Sequence, residues 1–317
     1  MTQRLLFKKG SMKLSRPRFA GLIILGLMAA LVAHPRTAGQ QAPNTTRVKI
    51  LMLGDSLTQR GMPEATLEAL KDAEPSSRLT GQKLEWMTVN AGVGGEPAEG
   101  GKSRIGALVD IERPDIVTVC YGGNDMHQRH DPDRFRKNMV GIIEIVQSHA
   151  KAPRVVLMTT TPMDASRHFL GKEKYVLDQG GLDYFLDSQY NGMTRQVAEQ
   201  RGLPLVDLHR YFNKDKDPMK YLIDDGVHLS AAGNRFAGTY IAKCLLAWYE
   251  ADVLKDADAI KLRESALKEL GRLKASTMDP NERKTHLAAL DEIWHACPFL
   301  AETGVMWHEM TYPAAVK

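Results

Sequence analysis

Between residues 48 and 208 the chain repeats one pattern: a short apolar run rich in β-formers, then a longer stretch with helical spacing. The runs are 48–53 (VKILML), 84–89 (LEWMTV), 116–121 (IVTVCY), 155–160 (VVLMTT) and 204–208 (PLVDL). The first, third and fourth are almost wholly apolar, which a strand with one wet face cannot be. The intervening stretches 63–72, 106–112, 132–149 and 190–200 carry helical spacing, and 231–249 closes the array. Strand–helix alternation of this kind requires an α/β fold, a parallel sheet with helices on both sides. In such sheets functional sites form beyond the carboxyl ends of the strands.

Four short motifs fall at such positions. Gly54-Asp55-Ser56-Leu57 ends the first run and enters the first helix. A serine there has backbone N–H groups beside it that stabilise developing negative charge, although an N-cap or turn serine has the same setting. Gly is absent two residues after Ser56, so this is not the Gly-x-Ser-x-Gly elbow of the larger α/β hydrolases. Asn90-Ala91-Gly92-Val93-Gly94-Gly95 follows the second run, where glycine N–H groups can approach a reacting oxygen. Its spacing and place do not fit a dinucleotide-binding loop, and a plain turn is the other reading. Gly122-Gly123-Asn124-Asp125 follows the third run and offers an amide donor in Asn124, again among ordinary turn residues. Asp225-Gly226-Val227-His228 precedes the last helix, and its spacing of three lets one loop supply both a base and the carboxylate that holds its ring. Asp224 is adjacent, and Asp225 is preferred as the orienting acid. Asp55 is expected to support the loop that carries Ser56. His127 and His130 follow the Asn124 loop, either as pocket rim or as solvated residues. Residues 161–189 form a long mixed connection, read as a rim or lid or as a packed surface excursion.

The remaining signals bound location and partners. The 317 residues carry a formal charge of +4, but Arg4, Lys8, Lys9, Lys13, Arg16 and Arg18 crowd the start, and without residues 1–39 the rest is near neutral. A nucleic-acid partner is therefore not implied. The basic start precedes an apolar run, 19–33 (FAGLIILGLMAALVA), of signal-peptide length and short of the ~20 residues of a spanning helix. Pro35 breaks it, and Thr37-Ala38-Gly39 offers small residues for cleavage. Residues 1–39 are thus expected to be a signal peptide, with an uncleaved membrane anchor as the alternative, and the protein to be exported to a periplasmic or extracellular space. Met12 is a second candidate start, and no cysteine follows the run, which argues against a lipoprotein anchor. A linker is expected over 40–46, a catalytic domain over 47–250 and a helical C-terminal extension over 251–317. Cys120, Cys244 and Cys297 form neither a metal-ligand spacing nor a disulfide framework, leaving buried thiols or a Cys244–Cys297 pair. His286, His295 and His308 show no metal-ligand spacing.

Taken in order at successive strand ends, the four motifs resemble those of the SGNH hydrolases of the GDSL esterase/lipase superfamily. The resemblance runs from about Val48 to Tyr249. It implies a flavodoxin-like, three-layer α/β/α sandwich whose five parallel strands lie in the order 2-1-3-4-5. It also implies ester hydrolysis with no metal and no cofactor. Ser56, Asp225 and His228 match the catalytic residues, and Ser56, Gly95 and Asn124 the oxyanion donors. Gly92 and Gly94 compete with Gly95, which is favoured by its distance from Asn90. Leu229 stands where the family often has proline. The expected function is an exported esterase removing short acyl groups, acetyl above all, from carbohydrate or another small ester. Lysophospholipase, thioesterase or O-acyltransferase chemistry with the same triad is the alternative. A catalytically silent carbohydrate-binding protein on the same fold is the reading from a different class.

Overall fold

A computed structural model of the chain describes residues 45–72, 83–249, 260, 261 and 264. The expected leader over 1–39, most of the 40–46 linker, Cys297, His286, His295, His308 and all but three residues of the 251–317 extension lie outside the described residues.

Strand β1 (Thr45–Gly54) lies inside the sheet, paired in parallel with β2 (Lys83–Gly92) on one side and β3 (Ile116–Cys120) on the other. Beyond β3 come β4 (Arg154–Met158) and β5 (Leu205–Val206), so the sheet order is 2-1-3-4-5 with every pair parallel. The side chains of β1 alternate between two cores, as strand geometry demands. Val48, Ile50 and Met52 join one core with residues of α2 (Met62–Asp72) and α10 (Ala231–Trp248). Leu51 and Leu53 join the other with residues of α3 (Ala98–Glu112), α5 (Pro132–Ser148) and α8 (Gly192–Arg201). Both faces are covered, which is why β1 and β3 read as continuous apolar runs. Each fully buried Leu or Ile contributes about 1.5–3 kcal/mol relative to exposure. Among the described residues no helix is long and apolar enough to cross a membrane.

Several boundaries differ from the sequence pattern, and three of them have a clear physical reason. Helix α3 begins at Ala98 rather than 106, through Gly100 and Gly101, whose low helix propensity hides the first two turns. Gly101 is required by packing: a Cβ there would sit 2.3 Å from the Tyr121 hydroxyl. Strand β2 runs on to Gly92, so Asn90 and Gly92 belong to the sheet, opposite Met52 and Gly54, and the loop starts at Val93. Strand β5 is only two residues long because Asp207 ends it, accepting from the Arg210 N–H as cap of α9 (Leu208–Phe212). Leu208, expected in the strand, is therefore helical.

The chain leaves β1 for β2 on one side and returns to β3 on the other. That reversal opens a crevice at the carboxyl ends of β1 and β3, the usual place for a site in an open parallel sheet.

Candidate active site

Asp55 follows β1 directly and caps the one-turn helix α1 (Ser56–Gln59), its carboxylate accepting from the Leu57 N–H at 2.9 Å. The cap sets Ser56 at the first helical position, directly beyond the carboxyl end of β1. Far away in sequence, residues 222–229 form a tight loop closed by an antiparallel bridge between Leu222 and Leu229. The Ile223 N–H donates to the His228 carbonyl at 2.8 Å, and the Ser230 N–H to the Tyr221 carbonyl at 2.8 Å. Leu229 is buried in the core, so packing anchors the loop.

Within that loop Asp225 Oδ1 accepts from the backbone N–H groups of Val227 and His228 at 3.0 and 2.9 Å. Its Oδ2 lies 2.7 Å from His228 Nδ1, and His228 Nε2 lies 2.8 Å from Ser56 Oγ. A continuous Asp–His–Ser relay thus joins residues 172 apart in sequence. Burial works to raise the Asp225 pKa, but the bonds from the His228 N–H, its ring and the Val227 N–H outweigh it and hold the carboxyl at about 2. Asp225 is therefore an anion throughout the physiological range and fixes the His228 tautomer with Nδ1 as donor, leaving Nε2 to accept from the serine.

The other expected residues gather beside Ser56. Gly94 and Gly95 line the same cavity, whereas the Gly92 N–H is taken by Asn90 Oδ1 at 3.1 Å inside the sheet. Among the described residues the N–H groups of Ser56 and Gly95 make no hydrogen bond, and the Gly95 carbonyl is held by Gln128 Nε2 at 3.0 Å. Asn124 sits in α4 (Gly123–His127), straight after β3. Its amide donates to Asp55 Oδ2 at 3.0 Å and approaches the Glu96 carbonyl at a longer 3.4 Å. One amide hydrogen is thus committed to Asp55 and the other is weakly held, near the cavity. Asp55 is buried, and loss of hydration lifts its pKa to about 7 against the pull of the Leu57 and Asn124 hydrogen bonds.

The cavity has a volume of about 370 Å³, within the range of small-molecule sites. Leu57, Met126, Met163 and Leu170 give it a buried apolar lining. His127 lines it as well, but His130 does not: it is part-buried, with Nδ1 3.4 Å from the buried Asp125. The long connection over 161–189, which includes the short helices α6 (Lys174–Leu177) and α7 (Leu182–Phe185), supplies one wall through Met163, His168, Phe169 and Leu170. It is stapled to the relay loop: the Asp164 N–H donates to the Gly226 carbonyl at 2.8 Å, and Arg167 donates to the Ile223 and Met219 carbonyls. Gly226 has a left-handed φ of +73°, and a Cβ there would meet the Asp164 carbonyl at 2.8 Å, so only glycine permits the staple.

Two supporting networks carry no sequence motif. Arg104 of α3 donates through Nη2 to the Ala91 carbonyl at 2.6 Å, Glu96 at 2.6 Å, the Tyr121 hydroxyl at 3.2 Å and the Gly54 carbonyl at 3.4 Å. One guanidinium thereby ties the carboxyl ends of β1, β2 and β3, from which the candidate residues project. On the far side buried His209 presents Nε2 to Asp183 at 3.0 Å and Nδ1 to Asp187 at 3.1 Å. Burial opposes a charged ring, but the two carboxylates prevail and raise its pKa. Asp183 also accepts from the Met163 N–H at 2.9 Å, so this pair fixes the cavity wall. Cys120 and Cys244 are buried in the core.

Residues 52–236 match the model of the GDSL-like Lipase/Acylhydrolase family. An uncharacterized lipoprotein, YqeF, of Bacillus subtilis is 30% identical over 137 residues, covering 39% of this chain and 55% of its own length. The mouse isoamyl acetate-hydrolyzing esterase 1 homolog is 27% identical over 203 residues, covering 59% of this chain and 77% of its own. This chain thus spans about half the length of the bacterial relative. Among solved structures, a lipase/acylhydrolase from Enterococcus faecalis aligns with a TM-score of 0.49 at 21% identity, over 62% of this chain and 94% of that one.

Proposed function

This chain belongs to the GDSL-like lipase/acylhydrolase family, and on that premise we propose that it is an exported serine esterase acting through an acyl-enzyme. The observation that carries the reading is the relay itself, 2.7 Å from Asp225 to His228 and 2.8 Å from His228 to Ser56. In the proposed reaction Ser56 Oγ attacks the ester carbonyl while His228 Nε2 takes its proton. Asp225 keeps the other ring proton in place and stabilises the imidazolium that forms. The oxyanion of the tetrahedral intermediate meets the N–H groups of Ser56 and Gly95 and the Asn124 amide. Collapse expels the alcohol, protonated by His228. A water molecule, deprotonated by the same ring, then releases the acid and regenerates the serine.

The cavity favours a short acyl group, since its buried apolar lining is small and opens at once on polar residues and an exposed Phe169. The name of the mouse relative, an isoamyl acetate-hydrolyzing esterase homolog, points the same way, toward an acetyl ester. Carbohydrate acetates fit such an open mouth, and export rests on the apolar run over residues 19–33. The purified chain should hydrolyse p-nitrophenyl acetate faster than the long-chain esters. A Ser56→Ala variant with an unchanged circular dichroism melt should lose at least about a thousandfold in turnover. Undiminished turnover in that folded variant overturns the reading.

A further inference from the structure

The charged groups that line the cavity differ in how they are held. Asp225 is held by His228 Nδ1 and by the Val227 and His228 N–H groups, and Asp55 is buried with its oxygens bonded to the Leu57 N–H and the Asn124 amide. Arg60 also lines the cavity, is exposed, and follows the helix that begins with Ser56. Its backbone is fixed at both ends: the N–H donates to the Ser56 carbonyl at 3.1 Å, and its carbonyl accepts from Asn234 Nδ2 at 3.0 Å. Its guanidinium, by contrast, makes no hydrogen bond or ion pair among the described residues. An arginine held at its base and unpaired at its tip leaves a positive charge with a fork of donors at the mouth.

A second feature of the mouth is Phe169, 62% exposed although it lines the cavity. Its ring is flanked by His127, with centroids 5.0 Å apart, and by His168, at 4.5 Å. His168 is in turn fixed through Nδ1, which accepts from the Leu170 N–H at 3.2 Å. The ring is a supported apolar face turned to solvent beside the reacting serine. The deeper lining, Leu57, Met126, Met163 and Leu170, is buried and uncharged. A small acyl group belongs there, and the larger alcohol belongs at the mouth.

We propose that the site selects esters whose alcohol part joins a ring face to an anionic group, a carboxylate or a phosphate, with Phe169 meeting the ring and Arg60 the anion. This deepens the esterase reading above and rests on it. For a carbohydrate substrate it specifies an acidic sugar rather than a neutral one. Arg60 and Phe169 take no part in the bond changes; they bind the leaving alcohol.

The test compares three aryl acetates of similar shape on the purified full chain: 4-acetoxybenzoate, 4-acetoxyphenyl phosphate and the neutral 4-acetoxybenzamide, each rate divided by its hydroxide-catalysed rate. A charge-assisted contact to Arg60 should give the anionic esters about a 5–10-fold advantage in kcat/KM at low salt, narrowing as ionic strength rises. Arg60→Gln should bring the ratio close to one, Arg60→Glu should invert it, and Arg60→Lys should keep part of it. The benzoate and phosphate arms separate a carboxylate-bearing alcohol from a phosphorylated one. Phe169→Ala should raise KM for all three esters; an unchanged KM removes Phe169 from the subsite. Equal ratios in the wild type, or a ratio that survives Arg60→Gln, overturns the assignment of Arg60. Turnover of the neutral ester without preference leaves the esterase reading intact and defeats only this inference. No turnover of any of the three by the folded chain defeats both.

Discussion

A serine hydroxyl 2.8 Å from an imidazole nitrogen gives up its proton only if the ring's other nitrogen is held as a donor. Asp225 meets that need through a carboxyl kept at about 2 by the bonds from His228 and Val227 that overcome its burial. Asp225→Asn preserves size but supports the wrong tautomer, and should lower kcat by about 10²–10⁴-fold with little change in KM. Because Asp225 stays ionised down to about pH 2, the acid limb of the wild-type pH–rate profile should not reflect its titration. Asn124→Ala should cost about 100–1,000-fold in kcat, measured with p-nitrophenyl acetate, because a donor to the proposed oxyanion is lost. The contacts among these residues were legible in sequence because each has a partner close by in the chain: Ser56 follows the Asp55 cap, and His228 lies three positions after its acid. Arg104 and His209 were not. A single arginine among glycines, or a histidine whose partners lie 26 and 22 positions away, has no local pattern to betray it.

At the scale of elements, the site depends on joints that hold strand ends in register. Arg104 joins the ends of β1, β2 and β3, so Arg104→Met should loosen the loops carrying Ser56, Gly95 and Asn124 together. The expected result is a fall in kcat of about tenfold or more with KM changed less, since the loss falls on transition-state alignment. A Tm shift alone, at unchanged kcat, would make the residue merely structural. The β5–α9 joint rests on Asp207, 1% exposed, which Arg195 grips at 2.7 and 3.0 Å. Burial disfavours its charge, but Arg195 and Arg210 hold its pKa at about 2. Its folded pKa lies below the unfolded value of about 3.9, so its stabilisation is full above pH 4 and is lost as pH falls through about 2. Asp207→Asn should cost about 3–5 kcal/mol at pH 7, and should flatten the loss of stability between pH 4 and 2 in urea titrations. The strands and helices themselves followed from hydrophobic period. Their ends did not, because caps, glycine packing and a two-residue edge strand are settled by tertiary contacts.

For the whole molecule, five parallel strands in the order 2-1-3-4-5 bring together four motifs spread over some 170 residues, and this convergence is the central claim. The sheet order was legible only through family resemblance. Alternation alone fixes a parallel sheet and leaves the order of strands open. If the chain is exported as proposed, intact-mass analysis of protein recovered outside the cytoplasm should show a new N-terminus within about three residues of Gly39. A full-length chain retained in the membrane fraction would instead mark an uncleaved anchor. The most direct test of the convergence is covalent. Incubated with a p-nitrophenyl alkylphosphonate, the purified chain should release one equivalent of p-nitrophenol and carry one phosphonyl group, mapped by peptide mass spectrometry to Ser56. Labelling should vanish in Ser56→Ala and slow at least about a hundredfold in a folded His228→Ala variant. An adduct on another residue, or labelling of Ser56 at an unchanged rate without His228, would contradict the account.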